Sequence, residues 1–130
     1  MFANIYKNKK VLITGHTGFK GAWLTAWLKQ LGAKVVGISL DPPSELNHFE
    51  VAIMHQGMED LCIDIRDSEK LEEAILSAEP DFVFHLAAQA LVRLSYESPV
   101  ETWKTNVLGT LHVLEALRKF DKSCAAVIIT

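Results

Sequence analysis

Short aliphatic and β-branched runs alternate along this chain with stretches whose apolar positions recur at helical spacing, the pattern of βαβ units around a parallel sheet. Val11-Leu12-Ile13-Thr14 predicts a first buried strand. A glycine-rich turn follows, then a helix with Trp23, Leu24, Trp27, Leu28 and Leu31 expected on one core-facing stripe and Gly32 as its stop. Lys34 to Leu40 predicts a second strand, closed by Asp41-Pro42-Pro43 because proline neither donates to a ladder nor follows a helical residue comfortably. Ser44 to Gly57 fits no single period and is compatible with a short helix.

Asp60 to Ile65 reads as strand three, and Leu71, Ala74, Ile75 and Ala78 then repeat at helical spacing from Asp67 until Pro80. Asp81 to Leu86 is strand four. Ser98-Pro99-Val100-Glu101 joins a Ser cap, a Pro at the first helical position and a Glu three residues after the cap, which predicts a capping box. Val100, Trp103, Val107, Leu111, Leu114 and Leu117 follow on one face. Ala125 to Thr130 is a fifth strand. Five strands with four crossovers predict an α/β, doubly wound parallel sheet in the order 3-2-1-4-5. Because the last residues form an apolar strand and leave no room for a substrate domain, residues 1–130 read as an incomplete domain, truncated after strand five.

With 130 residues, 49% apolar and 22% charged, the chain has the make-up of one globular domain. Thirteen Lys and Arg against sixteen Asp and Glu lack the basic excess of a nucleic-acid binder. No apolar run reaches the roughly 18 to 20 residues of a membrane span, and MFANIYKNKK has no signal-peptide segment, so the expected location is cytoplasmic. Cys62 and Cys124 are expected as reduced core thiols. His16, His48, His55, His85 and His112 form no compact ligand set, so no metal site is expected.

Thr14 to Gly21 (TGHTGFKG) falls between strand one and its helix, where main-chain N–H groups and a helix N-terminus meet an anion. Gly15 suits a backbone conformation closed to side chains, Gly18 a close approach to pyrophosphate, and Gly21 tight helix packing. The spacing is G-x-x-G-x-x-G, and no Gly-Lys-Ser/Thr of a P-loop follows. This is the fingerprint position of a Rossmann-type domain. Asp41 ends strand two, where an acid accepts from a ribose 2′-hydroxyl; this and the lack of an Arg or Lys in the next twenty residues point to NAD rather than NADP. Asp41 also suits a plain turn, and Ser39 is the alternative ribose-facing position. Asp64 and Ile65 end strand three beside the expected adenine, as polar acceptor and apolar wall. A helix-start turn is the plainer reading of that pair.

TGHTGFKG, the DIRD of Asp64 to Asp67, HLAAQ of His85 to Gln89 and TNVLGT of Thr105 to Thr110 resemble the extended short-chain dehydrogenase/reductases, and within them the nucleotide-sugar 4,6-dehydratases. TGHTGFKGAWL, SLDPPS and AAQALVRLSYESPVETWKTNVLGT look like the CDP-glucose branch. The resemblance implies NAD-dependent oxidation at C4 of a CDP-linked glucose, loss of water across C5 and C6, and return of the hydride to C6. It places Gly15, Thr17, Gly18 and Phe19 at the pyrophosphate, Asp64 and Ile65 at the adenine, Leu86, Ala87, Ala88 and Gln89 beside the nicotinamide ribose, and Thr105 facing the coenzyme. Asn106 matches a helix asparagine that supports the active-site hydrogen bonds. His16 stands where most relatives carry Gly or Ala, which implies an imidazole that crowds the pyrophosphate or lends it a proton, with weaker NAD binding expected.

The same resemblance puts a Ser/Thr-Asp-Lys/Glu cluster just beyond Thr130 and a Tyr-x-x-x-Lys pair further on, so no catalytic residue is expected within the chain and the fragment is expected to be inactive. Tyr6 and Lys10 match the pair's spacing but precede strand one, and read as tail and strand start. The helix from Pro99 to about Arg118 resembles one that relatives use to form a homodimer. A nucleotide-sugar epimerase or reductase, or a nucleotide-binding module without turnover, are the alternative readings. Trp23 and Trp27 are expected in the core, and Arg93 and Tyr96 near the entry of the sugar nucleotide, where a surface loop is the plainer reading.

Overall fold

The computed structural model describes residues 1–40 and 56–129. Asp41, its two prolines and most of the Ser44–Gly57 stretch lie outside the described residues, as do His48, His55 and Thr130. Strands β1 (Lys10–Thr14), β2 (Lys34–Ser39), β3 (Glu59–Cys62), β4 (Phe82–His85) and β5 (Ala125–Ile128) form one sheet in the order β3-β2-β1-β4-β5, and the registered pairs are all parallel. The expected order is the observed one.

Strand alternation divides the core between the two faces of the sheet. Leu12, Val36, Ile38 and Val83 pack with α2 (Ser68–Ala78) and with the helix α5 (Gly109–Arg118), through Leu71, Ile75, Val113 and Ala116. Val11, Ile13 and Val35 pack on the other face with Leu28 of α1 (Phe19–Gln30). Tyr6 is packed rather than loose: its ring lies 5.0 Å from Phe82 and 6.4 Å from Phe84 on this second face.

Helix ends follow local chemistry. Gly32, at φ +83°, ends α1, and the amide of Ala33 reaches back to the carbonyl of Leu28 at 3.0 Å. Asp67 caps α2 by accepting from the Lys70 amide at 3.2 Å. The capping box expected at Ser98 does not form. Ser98 makes no side-chain cap, Pro99 does occupy the first turn of the next helix, and the Glu101 carboxylate pairs instead with Arg66 and Lys104.

Four further expectations are corrected. Trp23 and Trp27 are 56% and 48% exposed, because α1 turns its small residues Gly21, Ala22 and Thr25, with Leu28, toward the sheet. Cys62 is exposed and Cys124 partly so, since β3 is a sheet edge and Cys124 precedes the other edge. The residues after β4 form a short helix, α3 (Val92–Glu97), where a loop was expected. The long helix starting at Pro99 is itself interrupted: α4 (Pro99–Trp103) passes into a π-helical turn at Lys104–Leu108 before α5 continues. Its core-facing residues are Gly109, Val113 and Ala116, which leaves Val100, Trp103, Val107, Leu111 and Leu114 outward.

Candidate coenzyme site

The site is built where β1 and β4 end side by side. Register pairs Thr14 with His85, so the glycine turn after β1 and the Leu86–Gln89 segment after β4 emerge together at the carboxyl edge of the sheet. Gly15 has φ +76°, and a Cβ there would lie 2.8 Å from the Ala87 amide nitrogen. Both backbone conformation and space therefore demand glycine. A Cβ on Gly21 would lie 2.0 Å from the Gly15 carbonyl oxygen, so this glycine lets α1 seat against its own approach turn.

Gly18 differs from these two. Its Cβ would meet only the Gly15 carbonyl oxygen, at 3.4 Å, so crowding within the described chain does not require glycine here. Gly18 is the extended N-cap of α1, with no side-chain cap, and no acid stands in the helix's first turn. An uncapped, acid-free helix start behind a glycine-open approach is the arrangement that accepts a diphosphate. The residues present thus fit the pyrophosphate of a dinucleotide.

Around this turn each expected residue has a definite place. Thr17 is tied to the end of β2 by a 2.6 Å contact between its hydroxyl and that of Ser39. Phe19 is exposed at the helix start. His16 contributes main chain to the turn, but its ring is fully buried: Nε2 lies 2.7 Å from the Asp60 carboxylate, and the ring fills the space over Gly37 that a Cβ would need. The imidazole therefore points to the β2–β3 side, which removes the physical basis of the expected crowding.

Asp64 accepts from the amide and guanidinium of Arg66, at 2.9 and 2.6 Å, and this partner holds its carboxyl below the usual carboxylate range. Arg66 also reaches Glu101 at 2.7 Å, which links the end of the β3 segment to α4. The Ile65 side chain is 4% exposed and packs in the core, where a Cβ on Gly109 would strike it; this corrects its reading as an apolar wall. Asp41 lies outside the described residues.

Beyond β4, the Asn106 side chain brackets the Gln89 main chain. Its Oδ1 accepts from the Gln89 amide at 2.7 Å and its Nδ2 donates to the Gln89 carbonyl at 3.0 Å. Gln89 in turn donates from Nε2 to the Thr102 hydroxyl at 3.1 Å. Thr105 and Asn106 both sit on the π-helical turn, a geometry that recurs at functional sites. Behind them lies a trio absent from the expected set, buried Thr14 and His85 with half-buried Thr110, in which His85 is bonded at 2.6 Å to the first hydroxyl and at 2.9 Å to the second. Burial pushes the His85 imidazole below its ordinary value. The signal available in sequence is a histidine at the end of an otherwise apolar strand.

The sheet order and the glycine turn packed against Ala87 at its carboxyl edge define a Rossmann-type dinucleotide-binding domain. The family model described as GDP-mannose 4,6 dehydratase matches residues 12–130, and the chain belongs to that family, of short-chain dehydrogenase/reductase type. NAD is the coenzyme of this class. The chain is 50% identical over 127 residues to CDP-glucose 4,6-dehydratase of Salmonella typhimurium, covering 98% of this chain and 35% of that protein. It is 31% identical over 113 residues to UDP-glucose 4-epimerase of Mycoplasma genitalium, covering 87% and 33%. Among solved structures, UDP-glucose 4-epimerase of Thermus thermophilus in complex with NAD superimposes with a TM-score of 0.75 at 34% identity, covering 85% of this chain and 34% of that one. The chain thus spans about a third of the length of these relatives.

Proposed function

We propose that this chain is the NAD-binding half of a nucleotide-sugar 4,6-dehydratase whose substrate is CDP-glucose. The observation that carries the reading is the 50% identity to CDP-glucose 4,6-dehydratase over 127 residues, 98% of this chain. In the proposed reaction the sugar is oxidised at C4, water leaves across C5 and C6, and C6 is reduced, giving a 4-keto-6-deoxy sugar nucleotide. NAD, when bound, supplies a hydride acceptor that is regenerated within each turnover.

The residues of this chain hold and orient. The turn at Thr17, Gly18 and Phe19 faces the pyrophosphate, with Gly15 and Gly21 setting its shape, the Gly18 amide bonded within it to the Gly15 carbonyl at 3.1 Å, and the His16 main chain completing it. Asp41 accepts from the adenosine ribose. Asp64, with the main chain at Ile65, meets the adenine. Leu86, Ala87, Ala88, Gln89 and Thr105 line the nicotinamide ribose, and Asn106 keeps the Gln89 main chain in register. Proton transfer to and from the sugar falls to residues outside positions 1–130, so this chain alone is expected to turn over no substrate. The outward row Val100, Trp103, Val107, Leu111 and Leu114 supports a homodimer of the full-length protein. A cytoplasmic location goes with this reading, and no described helix is long and apolar enough to cross a membrane.

An epimerase is the second reading, favoured by the NAD-bound epimerase structures with the same fold. Incubating the full-length protein with CDP-glucose and catalytic NAD separates the two. A 4-keto-6-deoxy product without net NAD reduction is expected; inversion at C4 with no loss of water would favour the epimerase and contradict the proposal.

A further inference from the structure

Thr14 and His85 are buried and Thr110 is half-buried; this trio bonds to the Leu86 and Ala87 amides at the β4 end and has no part in the binding contacts assigned above. Its hydrogen-bond capacities fix the ring's protonation pattern. The Thr14 hydroxyl oxygen accepts from the Ala87 amide at 3.2 Å and shares the Leu86 amide, 3.2 Å away, with the Thr14 carbonyl, which takes the same N–H at 3.1 Å. His85 Nδ1 lies 2.6 Å from the same hydroxyl oxygen. At the other end the Thr110 hydroxyl gives its proton to the Asn106 carbonyl at 2.7 Å, so it can only accept from His85 Nε2, at 2.9 Å. The Thr110 end thus requires hydrogen on Nε2, and the neutral ring then carries none on Nδ1, which accepts the Thr14 hydroxyl proton.

Resting on the coenzyme reading above, we propose that His85 is a positioning residue, held as the neutral Nε2–H tautomer, that locks the Leu86–Gln89 floor of the coenzyme crevice to the π-helical turn carrying Thr105 and Asn106. The chain of bonds is continuous. It runs from the Leu86 and Ala87 amides through Thr14, His85 and Thr110 to the Asn106 carbonyl, and the Asn106 side chain returns to the Gln89 main chain. The crevice floor is thereby held at both ends by one helical turn. A second proton, on Nδ1, would remove the acceptor of the Thr14 hydroxyl proton, so protonation disrupts the link at Thr14. The ring's partners from β1 and α5 are both hydroxyls, no charged side chain contributes to the shift of its titration, and burial alone opposes its charge.

The test combines long-range ¹H–¹⁵N correlation of the imidazole with NAD titration of the chain, wild type and Thr110→Val and Thr110→Ser. The expected spectrum shows a protonated Nε2 and an acceptor Nδ1 before any coenzyme is added. Thr110→Val is expected to weaken NAD about tenfold, the effect of one buried hydrogen bond, and Thr110→Ser to bring affinity back within about twofold of wild type. A wild-type Nδ1–H tautomer overturns the proposal, as does a folded Thr110→Val variant with unchanged NAD affinity. Wild type with the expected tautomer but no NAD binding contradicts the coenzyme reading itself, and the proposal falls with it.

Discussion

A Cβ on Gly37 would stand 2.5 Å from the Cγ and Cδ2 atoms of His16, so the ring of one residue occupies the side-chain space of the other. Gly37 is registered with Asp60, whose carboxylate holds the same ring at 2.7 Å. Three residues distant in sequence thus form one interlocked unit beneath the glycine turn. Gly37→Ala is expected to destabilise the fold by about 1–3 kcal/mol, since the ring is enclosed and cannot swing aside. His16→Ala empties a fully buried site and should cost about 2–4 kcal/mol. Combining them should recover part of the loss, because each change relieves the other. Urea unfolding of the singles and the double measures this; strict additivity would contradict the interlock. NAD affinity of His16→Ala should not rise, and a rise would restore the crowding explanation.

Gly15 carries two constraints at once, a positive φ and contact with Ala87. Gly15→Ala is expected to cost about 1–3 kcal/mol of backbone strain and to lower NAD affinity at least tenfold by forcing the turn away from the β4 end. Calorimetric titration beside a thermal melt separates the two effects. A variant with wild-type affinity would show that the turn's shape is not what binds.

The Asp64–Arg66 pair gives a signed pH dependence. Because the Asp64 pKa is lowered in the fold, its contribution is present above the unfolded value of about 3.9 and is lost as pH falls through the folded value. The pair is largely exposed, so its size stays below about 1 kcal/mol. Arg66→Gln should therefore reduce stability at pH 7 and match wild type in acid, read by denaturant midpoints across pH. A deficit that grows toward low pH would reverse the sign and refute the assignment.

Trp103 is exposed on the outward apolar row of the helical run that starts at Pro99. Trp103→Glu in the full-length protein is expected to weaken self-association at least tenfold while changing monomer stability by no more than about 0.5 kcal/mol. Sedimentation velocity over a concentration series reads this, and an unchanged dimer would remove this face from the interface.

Strand order, the glycine turn, the Asp67 to Pro80 helix and the Gly32 stop were all legible in sequence, because period, glycine and proline act over a few neighbouring residues. The outward tryptophans of α1 were not. Apolar spacing marks a stripe, whereas the small residues Gly21, Ala22 and Thr25 decide which side can approach the sheet closely. The Ser98 capping box failed because Glu101 has cations within reach in Arg66 and Lys104, partners that local spacing at the helix start does not reveal. At the site, the glycine positions were readable, but the His85 trio and the Asn106 bracket were not. Their bonds join residues 17 to 71 positions apart, brought together only by the parallel register of β1 with β4 and the π-helical turn beyond.

The account rests most heavily on the helix start at Gly18 receiving a coenzyme diphosphate. A ¹⁵N amide chemical-shift map of the chain titrated with NAD tests this directly. Saturable shifts concentrated at Thr17, Gly18 and Phe19, with smaller ones at Ala87 to Gln89, are the expected result. No saturable shift, or shifts confined to residues outside the turn and the β4 end, would contradict it.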